Sequence, residues 1–126
     1  MFAAADLVAF AATRDLAASG RFYEQALGLR LVASSAYANV YEVHGTQLRV
    51  TRVEEPVVAP YTVLGWRVSD IAATVDELAA AGVHFNRYAG MEQDERGVWT
   101  APGGELVAWF CDPDGNTLSL QQPTTP

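Results

Sequence analysis

The sequence predicts an α+β fold built from two βαβββ modules within one domain. Three observations predict it: an internal repeat, matching punctuation in the two copies, and a change of apolar period after each helix. Sliding the chain on itself by 55 residues sets Val8-Ala-Phe-Ala-Ala-Thr-Arg-Asp-Leu-Ala-Ala against Val63-Leu-Gly-Trp-Arg-Val-Ser-Asp-Ile-Ala-Ala. Val8 then meets Val63, Asp15 meets Asp70, and Ala17-Ala18 meets Ala72-Ala73. A shift of one residue sets Leu27-Gly28-Leu29 against Ala81-Gly82-Val83. The order of elements repeats along with the residues, as duplicated supersecondary units require.

Each copy opens with a short apolar strand. Asp15 and Asp70 follow as N-caps, because a short carboxylate can accept the orphan N–H groups of a first helical turn. The helices run near residues 15–27 and 70–81, each about twelve residues long and ended by a glycine, Gly28 or Gly82, suited to the left-handed C′ position. Leu16, Tyr23, Ala26 and Leu27 form one apolar stripe, and Ile71, Val75, Leu78 and Ala79 form the other. The period then becomes extended, giving strands over 29–34, 38–43 and 47–53 in the first half. A second self-match, at an offset of 70, aligns Gly45-Thr-Gln-Leu-Arg-Val-Thr with Gly115-Asn-Thr-Leu-Ser-Leu-Gln, pairing Leu48 with Leu118 and Arg49 with Ser119. Asp112-Pro-Asp-Gly115 reads as a hairpin turn. Module 1 spans about 5–53, the Pro-bearing stretch 54–60 is a linker, and module 2 spans about 61–122.

Composition narrows the chemistry. With 126 residues, half of them hydrophobic, the chain can bury a single core, and no apolar run approaches the roughly 20 residues of a membrane helix. The first thirteen residues lack a basic leader and carry Asp6, so no targeting segment is read, and one cysteine, Cys111, suits a reducing compartment. A cytoplasmic protein with no membrane partner is expected. A formal charge of −7 with no basic cluster argues against nucleic acid. All eight cationic side chains are arginine, which removes lysine Schiff bases and a Walker lysine. Neither a nucleophile elbow nor a GxGxxG stretch is present.

Four stretches together carry a resemblance: Ala12-Thr-Arg-Asp-Leu, Phe22-Tyr-Glu-Gln-Ala-Leu-Gly-Leu, Val68-Ser-Asp-Ile-Ala-Ala-Thr-Val-Asp-Glu-Leu-Ala-Ala-Ala-Gly-Val, and Asp112-Pro-Asp-Gly-Asn-Thr-Leu-Ser-Leu. From about Leu7 to Gln122 the chain resembles the vicinal-oxygen-chelate superfamily, which holds glyoxalases, bleomycin-resistance proteins and extradiol dioxygenases. The resemblance implies a U-shaped cavity with the helices on its convex side. It also implies four inward positions, one on the first and one on the last strand of each module. Metal-dependent members place His, Gln and Glu there, because an open octahedral site takes imidazole and carboxylate ligands. Here those positions fall on Val8, Arg49, Val63 and Ser119. Valine has no lone pair, arginine repels a cation, and one serine hydroxyl is a weak ligand. No metal or other cofactor is therefore expected, with a divalent ion as the alternative. The four residues are expected to converge on one cavity with Arg49 its ionic group.

Phe10, Arg67 and Trp99 complete the expected ligand-binding set. Arg49 and, secondarily, Arg67 could hold a carboxylate or phosphate in bidentate fashion. Trp66 alternates away from Val63 and is expected in the core. The stretch 89–104 is the longest non-periodic one; it could cover the cavity mouth with Trp99 or form a plain surface loop. His44 reads as a surface turn residue, His84 as a strand residue opposite Arg30, and Cys111 as a structural thiol. The expected function is sequestration or sensing of a small organic ligand by a homodimer. A glyoxalase-like lyase or dioxygenase-type enzyme, divergent or metal-free, is the alternative, and a third reading is a vestigial cavity in an assembly module.

Overall fold

The computed structural model describes residues 1–124. The chain divides into two compact units, Met1–Val58 and Ala59 onward. After a short 3-10 turn, the first unit runs β1 Val8–Thr13, α1 Leu16–Gly20, a π-helical segment Arg21–Ala26, β2 Arg30–Ser34, β3 Ala38–Val43 and β4 Thr46–Arg52. The second runs β5 Thr62–Arg67, α2 Ile71–Ala80, β6 Trp99–Thr100, β7 Leu106–Cys111 and β8 Thr117–Gln122. Each unit is therefore βαβββ.

The two sheets have the same strand order, β1-β4-β3-β2 and β5-β8-β7-β6. In each, the first strand lies parallel to the last, β1 on β4 and β5 on β8, while the remaining pairs are antiparallel. Parallel neighbours need a crossover, and the helix between the first two strands begins it. One face of each sheet packs under its helix. In unit 1 that face carries Ala11, Tyr41, Leu48 and Val50, beneath the fully buried Tyr23. In unit 2 it carries Ala108, Phe110, Leu118 and Leu120 beneath Ile71, Val75 and Leu78. The opposite faces are open along β4 and β5, where Gln47, Arg49, Gly65 and Arg67 are exposed, while Ala38 and Val40 on β3 are buried.

The caps form as expected. Asp15 Oδ1 accepts from the amides of Ala17 and Ala18 at 3.0 and 3.1 Å, and Asp70 Oδ1 accepts from Ala73 at 3.1 Å. Gly28 and Gly82 take φ values of +73° and +92°, a region costly for a residue with a Cβ. The hairpin at Asp112 also forms, and it is tightly built. The buried Asp112 carboxylate accepts from the amides of Asp114 and Asn116, both at 3.0 Å, and from Asn116 Nδ2 at 2.8 Å.

Several details differ from the sequence reading. The first helix is not one α-helix to residue 27. After Gly20 it widens into π geometry, with the Leu27 amide bonding the Phe22 carbonyl at 3.0 Å. Glu24 lies back over Gly20, where a Cβ would come within 3.0 Å of Oε2, and accepts from the Tyr41 hydroxyl at 3.1 Å. Burial, with the Glu24 carboxylate, pushes Tyr41 up to about 12. Ala79 is exposed rather than part of the buried stripe. His84 lies outside any strand and is exposed; the chain meets β7 only from the next residue on, through the bridge of Phe85 to Phe110 and the Asn86 amide, which donates to the Trp109 carbonyl at 2.7 Å. No helix among the described residues is long and apolar enough to cross a membrane.

Candidate functional site

On the open face of unit 1, pleating and register bring three expected residues together. Val8 pairs with Gln47 and Phe10 with Arg49 across the parallel β1–β4 ladder, and Arg49 pairs with Val40 on its other side. Directly paired residues share a face. The row Phe10–Arg49–Val40 thus crosses the sheet, with Val8 one pleat away. Phe10 is 60% exposed and Val8 38%. Among the described residues, the Arg49 guanidinium makes no hydrogen bond and no ion pair. Leu48 and Val50 point to the helix side, as the alternation requires.

On the open face of unit 2, the equivalent row is Gly65–Ser119–Trp109. A bulge between Thr62 and Leu64 sets Val63 as the extra residue of β5, 36% exposed and, by alternation from Gly65, on the same face. The neighbouring row is Arg67–Gln121–Val107–Trp99. All of the expected unit-2 residues, Val63, Arg67, Trp99 and Ser119, therefore share one face. A Cβ on Gly65 would come within 2.6 Å of Ser119 Oγ, so the hydroxyl leans over a floor that only glycine leaves low. Among the described residues neither Ser119 Oγ nor the Arg67 guanidinium has a hydrogen-bond partner.

Sequence reasoning placed Trp99 at the site but did not assign Tyr88 and Trp109, which complete an aromatic wall on this face. Trp109 packs edge-on with Tyr88, with centroids 5.5 Å apart and planes at 86°, and lies 6.0 Å from Trp99 at 36°. The signal was present: a hairpin centred on Asp112–Asn116 pairs Cys111 with Thr117, and counting back by two pairs Trp109 with Ser119. Also missed was Glu105, which accepts a hydrogen bond from Gln121 Nε2.

The stretch 89–104 is pinned rather than free. Gln93 accepts from the Tyr88 amide at 2.8 Å and donates to the carbonyls of Asn86 and Gly97 at 2.9 and 2.8 Å. Asp94 Oδ1 accepts from the amides of Arg96 and Val98, and Arg87 Nη2 donates to the Glu95 carbonyl at 2.7 Å. Arg96 ties the stretch to α2 through Asp76, with N···O distances of 2.9 and 3.1 Å; this guanidinium holds the Asp76 carboxyl below its usual range. The stretch positions Tyr88 and Trp99.

The remaining candidates lie apart from these rows. His44 is an exposed turn residue at φ +46°. Trp66 is half-buried beside Leu120 rather than fully in the core. Cys111 is exposed at the end of β7, where its Sγ accepts from Asn86 Nδ2 at 3.4 Å, so it is not a buried structural thiol. A shallow groove of about 360 Å³ lies on the helix side of unit 1, lined by Leu16, Gly20, Arg21, Glu24, Leu31 and Asn39 among others, and none of the expected site residues lines it.

The donor set does not suit a divalent ion. The positions that the resemblance assigns to metal ligands hold Val8, Arg49, Val63 and Ser119. Among the described residues no group of three or more His, Cys, Asp or Glu side chains could hold one elsewhere.

Comparison with known proteins bears on the fold and the family. Solved structures with the same fold include a lactoylglutathione lyase from Agrobacterium tumefaciens, 16% identical, covering 94% of this chain and 93% of that one with a TM-score of 0.73. A genomically encoded fosfomycin resistance protein from Listeria monocytogenes is 12% identical over 94% of this chain and 92% of its own, also at 0.73. A glyoxalase-related enzyme from Fulvimarina pelagi is 22% identical over 92% and 86%, at 0.70. No curated protein matches the chain significantly in sequence. A family model matches residues 6–120, nearly the whole chain, and the chain accordingly belongs to the Glyoxalase/Bleomycin resistance protein/Dioxygenase superfamily.

Proposed function

We propose that the protein binds a small organic anion on the open faces of its sheets, without a metal ion, and sequesters or senses it rather than transforming it. The observation that carries this reading is Arg49. Its guanidinium stands exposed between Phe10 and Val40, with no partner among the described residues, so its donors are available to a carboxylate or phosphate whose apolar part lies on Phe10 and Val8. The local charge opposes the overall balance of −7 and selects the anionic end of the ligand. The metal-free part of the proposal rests on the donor chemistry of Val8, Arg49, Val63 and Ser119.

The test is a thermal-shift screen of small carboxylates, phosphates and cationic antibiotics against wild type and Arg49→Ala. An anion should stabilise the wild type by mass action. Losing a charged hydrogen bond costs roughly 1.5–3 kcal/mol, so Arg49→Ala should weaken binding about tenfold to a hundredfold or somewhat more. Equal stabilisation of both proteins, or a response to cations alone, would overturn the assignment of Arg49. Metal analysis tests the rest: one equivalent of nickel, iron, manganese or zinc retained after dialysis would favour the lyase or dioxygenase alternative within the superfamily.

The protein is further proposed to work as a homodimer in the cytoplasm. Exposed apolar side chains on open faces, and edge strands at β1, β2, β5 and β6, favour pairing with a second copy. Light scattering at micromolar concentration should give twice the chain mass of 13.6 kDa. A monomer would count against it.

A further inference from the structure

The open face of unit 2 has a shape that the small-anion reading does not use, and the inference drawn from it rests on that reading and narrows the ligand class. The row Gly65–Ser119–Trp109 descends from a tryptophan wall to a bare glycine. Adjacent strands lie about 4.8 Å apart, so β7 and β5 are separated by roughly 9.6 Å across Ser119. That span is wide enough for one or two fused rings laid over Ser119 and Gly65 with an edge or face against Trp109. The wall is stiff: Tyr88 braces Trp109 from one direction, Trp99 from another, and Gln93 holds the backbone beneath both. The 6.0 Å spacing of Trp99 and Trp109 is too small to admit a ring between them, which leaves the floor beside Trp109 as the place for one.

Polar groups at the slot are of two kinds. Asn86, Cys111, Gln121 and Glu105 are engaged with one another in pairs. Ser119 Oγ and Arg67 are uncommitted among the described residues. Arg67 lies two residues along β5 from Gly65 on the same face, about 6.6–7 Å away. The Glu105 carboxylate is turned to Gln121, so the charge offered to a ligand beside the floor is the guanidinium.

We propose that the unit-2 face is a slot for a planar aromatic acid: its ring system lies against Trp109 over Ser119 and Gly65, its anionic group meets Arg67, and Gly65 sets the depth of the floor. Flatness is demanded by the low floor beside a rigid indole, and the anion by the free arginine one pleat away. A side chain at residue 65 would occupy the ring's place. Valine is suited to an extended strand, so Gly65→Val should fill the slot once the Ser119 hydroxyl, 2.6 Å from the added Cβ, rotates aside.

The experiment is titration calorimetry with 2-naphthoate and, as a non-planar acid of equal charge, cyclohexanecarboxylate. Wild type should bind 2-naphthoate at least tenfold more tightly than cyclohexanecarboxylate. Gly65→Val, Trp109→Leu and Arg67→Ala should each weaken 2-naphthoate at least tenfold, with circular dichroism of Gly65→Val unchanged, while Arg30→Ala, at an exposed arginine on β2, leaves its affinity unaltered. If Gly65→Val or Arg67→Ala binds 2-naphthoate as wild type does, or if the two acids bind alike, the slot is overturned. A loss seen with Arg49→Ala and not with Arg67→Ala would uphold the anion site on unit 1 and overturn the slot. Binding that depends on Arg67 and not on Arg49 upholds the slot even where the Arg49 assignment fails.

Discussion

The two units put different chemistry on one scaffold. In unit 1 the row across the open face is Phe10–Arg49–Val40, and in unit 2 the equivalent row is Gly65–Ser119–Trp109. Bulk lies on the first strand in one and on the third in the other. The middle position holds a charge in one and a hydroxyl in the other. The helix sides diverge in the same manner: Tyr41 and Phe110 both pair with the equivalent leucines, Leu48 and Leu118, yet only Tyr41 has a hydroxyl to bond. Duplication preserved the backbone, the capping aspartates and the core aromatic, while the rows across the solvent-facing sides of the sheets went their own ways. Packing constrains shape at the first kind of position and leaves the second free.

The sharpest way to separate the units is through their hairpin turns. In unit 2 a buried carboxylate closes the turn with three hydrogen bonds, whereas in unit 1 the exposed amide of Gly45 donates to Glu42 Oε1 at 2.8 Å. Asp112→Ala should therefore cost about 3 kcal/mol, while Glu42→Ala should cost under about 0.5 kcal/mol. Urea denaturation measures both, and similar values for the two variants would remove the asymmetry.

A smaller effect of opposite sign is expected in the helices. Ser19 and Thr74 are equivalent under the repeat, but Thr74 Oγ1 donates to the Asp70 carbonyl at 2.9 Å, whereas Ser19 Oγ is buried without a partner among the described residues. Ser19→Ala removes an unsatisfied group and improves helix propensity, so it should stabilise the protein by roughly 0.5–1 kcal/mol. Thr74→Ala should leave stability within about 0.5 kcal/mol. A destabilised Ser19→Ala would show that the hydroxyl is satisfied in solution.

A third difference is alkaline, and it belongs to unit 1 alone. Tyr41 titrates at about 12 rather than 10.0, so in that interval the folded state retains a proton the unfolded chain has released. Its stabilising contribution is complete below about pH 10 and disappears as pH rises towards 12. Denaturant midpoints at about pH 9 and pH 11.5 should fall further apart for wild type than for Tyr41→Phe. Identical spacing would show that burial and the Glu24 carboxylate do not shift the phenol.

The repeat, the caps at Asp15 and Asp70, the glycines after each helix and the hairpin at Asp112 were all legible in the sequence. They depend on neighbours within a few residues, and local sterics and hydrogen bonding decide them. The alternation that sends Leu48 and Val50 inward and Arg49 outward was equally legible, because pleating has a period of two. What the tertiary structure decided is of another kind. Gly20 leaves room for Glu24 to reach the Tyr41 hydroxyl on β3, within the segment where the first helix widens. Strand register put Phe10 directly across from Arg49 and Gly65 directly across from Ser119, with Val8 one pleat away and Val63 set out as the extra residue of a bulge. The stretch 89–104 acquired its order from Gln93, Arg87 and Arg96, whose partners are set by where the chain returns. The meeting of Tyr88, Trp99 and Trp109 on one face depends on three segments arriving together. Membership of that wall is a property of register between strands, which no single segment carries.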